Sequence, residues 1–334
     1  LYHYKEIETP QGLEFVTVKE LEPLNITLIG QGRGSLQIEK TPHDFQGLRS
    51  AIATYDAICV PVPRPKGLLG HQYLTQIHYL IEKTIQRAPK AFETFKLGAA
   101  GDATPVMERI KSEIAQHHGL EEAENQGDLL IRIRPSVVKT GWDILIRTTP
   151  RPLITRQWRI YNMEGALNAC VAYGMAQLSQ IENTSSVLNL GCGSGTLMIE
   201  SQPFKPKEQF GIDNDEDALM MAHEHLHLAK VEANLIHGDV TQLPFDNATF
   251  DVLTADLPFG QLVGNVQSNK QLYPLLVQEA ARVCVKGGRI TLITHSLRLI
   301  ESVLDAYAHL WHIEKQLSVN LNGLNTRIYV LSRR

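Results

Sequence analysis

Val187-Leu-Asn-Leu-Gly-Cys-Gly-Ser-Gly-Thr196 is a short, mostly apolar run that enters a glycine-rich turn without a break. The run reads as a buried strand, and glycines at 191, 193 and 195 make a turn at which a ligand can lie against backbone. Outward from it, Gln209 to Ile212, Ala233 to Ile236, Phe250 to Ala255 and Arg289 to Thr294 are further short apolar runs, most with helical segments between them. Such alternation predicts an α/β domain from about Asn162 onward, with a mostly parallel sheet and helices on both faces. Open sheets of this kind bind ligands at the carboxyl ends of their strands, where the glycine turn falls.

The spacing of the turn is G-x-G-x-G. A dinucleotide site calls for G-x-G-x-x-G with helix N–H groups turned to a pyrophosphate, whereas the shorter form suits S-adenosylmethionine, which has no phosphate. Asp213 ends the second strand 22 residues past Gly191, in position to accept both ribose hydroxyls. Asp239, in His237-Gly-Asp, follows the third strand and is placed to accept from the adenine amine. Cys192, Asn214 and Val240 flank these groups and join the expected cofactor contacts. Unpaired carboxylates at successive strand ends would be costly in a core, so the series points to a ligand.

Asp256-Leu-Pro-Phe-Gly260 follows the fourth strand and so shares the sheet edge with the glycine turn. The Asp256 carboxylate and the Leu257 carbonyl suit the two N–H bonds of an exocyclic amine on a planar ring, Pro258 fixes the turn and Phe259 offers a stacking face. Catalysis is then chiefly positioning, with Asp256 also stabilising the positive charge that develops on the attacking nitrogen. No dedicated general base is required.

In order, NLGCGSG, GID, HGD and DLPFG resemble Rossmann-fold S-adenosylmethionine-dependent methyltransferases that act on base amines. The run DLPFGQLVGNVQSNKQLYPLL with AARVCVKGGRITLITH is most similar to the THUMP-domain tRNA guanine-N2 methyltransferases, the TrmN-like group. Upstream, AFETFKLGAAGDATPVMERIKSEIAQHHGL and GWDILIRTTPRPLITRQWR resemble the THUMP domain and its linker. The resemblance implies a ferredoxin-like domain over 1–66, a THUMP domain over 67–150, a linker over 151–161 and the methyltransferase domain over 162–334. It implies that Asn189, Gly191, Gly193 and Gly195 hold the methionine portion, Asp213 the ribose, Asp239 the adenine, and Asp256 to Phe259 a target guanine near the tRNA acceptor stem. Asn189 stands where the group usually has an acid, and the loop after DLPFG, basic in close relatives, has only Lys270 across 261–270. Methylation of rRNA guanine N2 or DNA adenine N6 is the alternative chemistry, and an RNA-binding module with a silent catalytic domain is the non-enzymatic alternative.

The net charge of -4 hides an asymmetry: residues 1–160 carry 20 basic and 18 acidic side chains, and 161–334 carry 12 and 18. Between 131 and 160, Arg132, Arg134, Lys139, Arg147, Arg151, Arg156 and Arg159 face one acid, Asp143, and form the expected RNA footprint. In this half a hairpin is predicted at Asn25–Ile29 and Ser35–Ile38 around Gly30, Gly32 and Gly34. Helices are predicted at His43–Ala53, at His71–Arg87 and from a Thr104 cap to His118, and strands at Ala57–Val62, Phe92–Leu97, Asp128–Arg134 and Trp142–Arg147.

His223-Glu-His-Leu-His227 has the H-E-x-x-H spacing of zinc hydrolases. It flanks an ordinary packing stripe, Leu219, Ala222, Leu226 and Ala229, so no metal is expected there, and His117 and His118 read as surface residues. Four scattered cysteines form no CxxC pair, and no apolar run approaches a membrane span. A cytoplasmic monomer that needs no protein partner is the expectation.

Overall fold

The computed structural model describes residues 1–99, 101–258, 266–321 and 323–334. The chain divides into two compact units, Leu1–Thr9 with Thr17–Thr155, and Pro10–Val16 with Arg156–Arg334. Helix α1 (Glu14–Leu21) carries the division between Val16 and Thr17.

In the first unit β1 (Tyr2–Glu8), β2 (Leu28–Gly32), β3 (Ser35–Glu39), β4 (Ala53–Val60), β5 (Thr94–Ala99), β6 (Glu121–Glu122), β7 (Leu129–Pro135) and β8 (Trp142–Arg147) form one sheet. Its order is β2-β3-β1-β4-β8-β7-β5-β6, so strands from both sides of residue 66 share it. All eight residues of β4 are buried, as its central place demands. Helices α2 (His71–Arg87) and α3 (Pro105–His118) place Ile77, Leu80, Ile81, Met107, Ile110 and Ile114 on Phe95, Leu97, Ile131 and Ile133.

The first unit departs from expectation in three places. No helix forms at 43–52, because Phe45, Leu48 and Ala51 are buried at a spacing of three that imitates helical periodicity. Two backbone donors there are met from outside: the Glu20 carboxylate accepts from Arg49 N–H at 2.8 Å and Ser50 N–H at 3.0 Å. In the β2-β3 hairpin only Gly34 takes a positive φ, +73°, while Gly30 and Gly32 are strand residues. Thr104 precedes α3 as expected, but its side chain makes no capping bond.

The second unit contains α4 (Ala169–Leu178), β9 (Ser186–Leu190), α5 (Thr196–Ser201), β10 (Glu208–Asp213), α6 (Glu216–Ala229) and β11 (Asn234–His237). There follow β12 (Phe250–Asp256), α7 (Val266–Val283), β13 (Cys284–Thr294), α8 (Leu297–Ala306), β14 (Trp311–Leu321) and β15 (Leu324–Arg333). The sheet order is β11-β10-β9-β12-β13-β15-β14. The first five strands are parallel, as the alternation predicts, and β15 and β14 are antiparallel. Strand order reverses between β9 and β12, and that switch point is where a crevice opens beyond the strand ends. Leu188, Leu190, Leu253, Ala255, Leu292 and Tyr329 fill the core beneath it. All four cysteines are buried and unbridged. Among the described residues no helix is long and apolar enough to cross a membrane.

Candidate active site

A cavity of ≈310 Å³ lies beyond the carboxyl ends of β9, β10 and β12, lined by the glycine turn, Asp213 to Asp215, Gly238 to Val240, Asp256 to Pro258 and the segment Met163 to Leu167. That volume is at the lower end of the range of small-molecule sites. Gly191 sits at φ +63° with nothing within 4 Å of where a Cβ would be, so the backbone itself forms the wall. Gly195, at φ +82°, begins α5 and packs on α6, where a Cβ would lie 3.3 Å from that of Ala222. Left-handed backbone at both positions suits glycine alone at little cost.

Asp213 holds this turn in place as well as facing the cavity. One carboxylate oxygen accepts the Gly193 N–H at 2.7 Å and the other the Asp215 N–H at 3.0 Å. An ionised carboxylate has about four acceptor sites, so capacity for two hydroxyl donors remains. The Asp239 side chain is exposed, and its Oδ1 accepts from Thr241 N–H and Oγ1, both at 2.8 Å. Asn214, Cys192 and Val240 line the cavity. Asn189 does not: it is 1% exposed, and its Nδ2 donates to the Thr254 carbonyl at 3.1 Å inside the sheet. Its place in mid-strand, paired with Thr254 on β12, directs it to structural use.

At the far wall Asp256 ends β12 with one carboxylate oxygen, Oδ1, enclosed and without a hydrogen-bond partner among the described residues. Burial pushes its carboxyl up to about 7, because charge is disfavoured away from water. The Leu257 N–H donates to the Ile293 carbonyl at 3.0 Å, which fixes the strand end. The Pro258 carbonyl accepts from Asn269 Nδ2 at 2.8 Å and from the Tyr273 hydroxyl at 2.9 Å. Tyr273 also bonds Thr294 Oγ1 at 2.9 Å. Phe259, the expected stacking face, lies outside the described residues.

Three groups around the site were not assigned from the sequence. Asn269 and Tyr273 are four residues apart on one face of α7, a spacing that was visible, but without a partner in view it said nothing of Pro258. The wall Met163 to Leu167 precedes α4, whose cap Asn168 accepts from Cys170 N–H at 2.9 Å. His225, the middle residue of the HEHLH run, is fully buried and bonds the Ser194 carbonyl through Nδ1 at 3.0 Å, while Nε2 accepts the Tyr161 N–H at 3.1 Å. Burial lowers its affinity for a proton, which keeps the imidazole in the neutral form both bonds need. His223 and His227, the pair with zinc spacing, are exposed.

The expected cationic footprint contracts. Arg147 is 7% exposed, and its guanidinium donates to the carbonyls of Thr149, Gly127, Asp128 and Pro150. Arg156 pairs with the buried Glu200 at 2.9 Å, and Arg159 donates to Leu167 O and Thr196 Oγ1. Arg132 pairs with Glu8 at 2.9 Å and Arg134 with Glu6. Charge counting does not distinguish a cation that serves the fold from one that faces solvent; here the exposed ones are Lys139 and Arg151.

Residues 156–327 match the family described as UPF0020: RMKL-like, methyltransferase domain. The tRNA (guanine(6)-N(2))-methyltransferase THUMP3 of Bos taurus is 29% identical over 182 residues, 50% of this chain and 36% of the relative. The tRNA (guanine(6)-N2)-methyltransferase of Methanocaldococcus jannaschii is 25% identical over 218 residues, 53% of this chain and 56% of the relative. The chain thus spans from about a third to just over half the length of these curated relatives. The crystal structure of TrmN from Thermus thermophilus superposes with a TM-score of 0.75 at 20% identity, covering 100% of both chains. SMU.472, solved in complex with SAH, superposes with a TM-score of 0.70 at 14% identity over 100% of this chain and 99% of its own.

Proposed function

The chain belongs to the UPF0020, RMKL-like methyltransferase family, and from that premise we propose that it methylates the exocyclic N2 amine of a guanosine in tRNA, with S-adenosylmethionine as donor. The names of the mammalian and archaeal relatives support the substrate, and the SAH-bound neighbour supports the cofactor. The acceptor-stem region is part of the proposal, as is the assignment of 1–66, 67–150 and 151–161 to a ferredoxin-like domain, a THUMP domain and a linker.

The residues fit the donor. The open backbone at Gly191 is suited to the methionine portion, with Cys192, Gly193 and Gly195 shaping the turn, the spare acceptor capacity of Asp213 to the ribose, and Asp239 with Asn214 and Val240 to the adenine. S-adenosylmethionine supplies an electrophilic methyl carbon on a sulfonium. The protein's part is to hold the amine nitrogen and keep water out. Asp256 carries the reading: it lines the cavity, its Oδ1 is enclosed with no hydrogen-bond partner among the described residues, and a base amine brings an N–H for its carboxylate. With the Leu257 carbonyl as second acceptor, both N–H bonds of the amine are fixed and its lone pair is left for attack. As the nitrogen becomes cationic, ionised Asp256 is worth more in the transition state than in the ground state, and the carboxylate that accepts the N–H is placed to take its proton once the methyl bond has formed and the donor sulfur has left as a thioether. Asn269 and Tyr273 act through the Pro258 carbonyl and are positioning residues.

The test is incorporation of labelled methyl groups from S-adenosylmethionine into unmodified tRNA, ribosomal RNA and DNA, each alone. Transfer to tRNA supports the reading. Transfer only to one of the others replaces the substrate, and failure to bind the cofactor in calorimetry overturns the enzymatic reading.

A further inference from the structure

In the first unit, α2 and α3 bring together side chains that neither the core nor the cavity employs. His78 lies in the middle of α2, and His117 and His118 end α3. His78 Nδ1 is 3.0 Å from His118 Nε2, across 40 residues of sequence. The rings of His78 and His117 stack with centroids 4.0 Å apart, and those of His117 and His118 meet edge-on at 4.8 Å. One ring nitrogen from each of the three lies within 4.8 Å of the others. One turn beyond His78, Glu82 places Oε1 3.3 Å from His117 Nε2.

A histidine serving the fold looks different. His225 is enclosed, and each of its ring nitrogens is matched to a backbone group. The imidazoles of His78, His117 and His118 turn toward one another instead, and water reaches them, with the His117 side chain 50% exposed. A tetrahedral Zn²⁺ with bonds of about 2.0–2.1 Å sets its ligand atoms roughly 3.3 Å apart. Among the three histidines the separations present, 3.0 Å for one pair and no more than 4.8 Å for any, bracket that value, and the stacked rings of His78 and His117 must rotate apart to aim both lone pairs at one ion.

We propose that His78, His117 and His118 form a three-histidine site for a divalent transition-metal ion of the zinc class, with the Glu82 carboxylate beside His117 rather than within the cluster. The ion clips the middle of α2 to the end of α3, whose intervening chain includes β5, and it stabilises the folded state because the unfolded chain has no such site.

Full-length protein freed of metal by chelation is titrated with ZnCl₂ in a calorimeter and with Co²⁺ in an absorption cell. One Zn²⁺ per chain, a visible Co²⁺ spectrum of tetrahedral type and a raised thermal midpoint are the expected results. His117→Gln, at a half-exposed position, weakens binding more than about tenfold while circular dichroism is unchanged, since even residues behind metal ligands are worth about 10–100-fold. The double variant His223→Gln with His227→Gln retains one Zn²⁺ per chain. Absence of saturable binding to the parent protein overturns the proposal, as does binding that survives His117→Gln or is lost in the His223/His227 variant.

Discussion

Replacing Asp256 by Asn keeps the shape of the side chain and removes its charge, and two measurements should then move in opposite directions. The carboxyl titrates at about 7 in the folded protein because it is buried. A carboxyl whose pKa is raised on folding favours the folded state fully at pH below its unfolded value, near 4, and that contribution is lost as pH rises toward 7. Between pH 5 and pH 8 about two units of the shift are traversed, at most roughly 2.7 kcal/mol at 1.36 kcal/mol per unit. Since part of the residue meets solvent, about 1–2 kcal/mol is the expected magnitude. Asp256→Asn should therefore gain in urea stability over the parent protein by that amount on going from pH 5 to pH 8. Activity moves the other way: methyl transfer falls on the order of 100-fold or more, the range for losing one preorganised electrostatic contact. In the parent protein kcat/KM rises about tenfold per pH unit below 7 and levels above it, while the residual rate of the variant is flat. A parent profile without an inflection near 7, or a variant that loses stability at pH 8 relative to pH 5, would refute the assignment of Asp256 as a buried charge kept for the amine.

Tyr273→Phe removes a donor to the Pro258 carbonyl, so kcat drops roughly 2- to 10-fold, the worth of one hydrogen bond, with unchanged cofactor affinity by calorimetry. Gly191→Ala puts a Cβ at positive φ, costing about 1–2 kcal/mol, and it weakens cofactor binding more than RNA binding; equal loss of both would contradict the placement of this turn. His225→Leu frees the Ser194 carbonyl and the Tyr161 N–H, and cofactor dissociation should be several-fold faster in stopped flow. Lys139→Glu and Arg151→Glu each flatten the salt dependence of tRNA binding by about 0.7–0.9, whereas Arg147→Glu lowers the melting midpoint, because its guanidinium serves four carbonyls inside the fold.

What could be read in the sequence was what is local. The run into Gly191 declared a strand and a ligand turn because apolar residues and glycines sat side by side, and Asp213 and Asp256 could be placed because each ends its strand. The HEHLH run shows the limit of local reading: helical spacing brought His223 and His227 onto one face beside a packing stripe, but only the fold shows that the middle residue, His225, is the buried one. Phe45, Leu48 and Ala51 likewise copied a helix that tertiary burial alone explains. Long-range partners were out of reach. Nothing near Arg147 announced four carbonyl acceptors, nothing near Asn269 announced Pro258, and His78 is 40 positions from the ring it bonds. The antiparallel pair β14-β15 escaped as well, since closing a parallel sheet with a hairpin is a choice of topology that strand composition does not encode.

The central claim, that the cavity holds a guanine amine of tRNA against Asp256, is tested most directly by nucleoside mass analysis of unmodified tRNA after incubation with the enzyme and isotopically labelled S-adenosylmethionine. The prediction is labelled N2-methylguanosine with the parent protein and a yield lower by about 100-fold with Asp256→Asn. Labelled N6-methyladenosine, or N2-methylguanosine formed equally well by the variant, would contradict it.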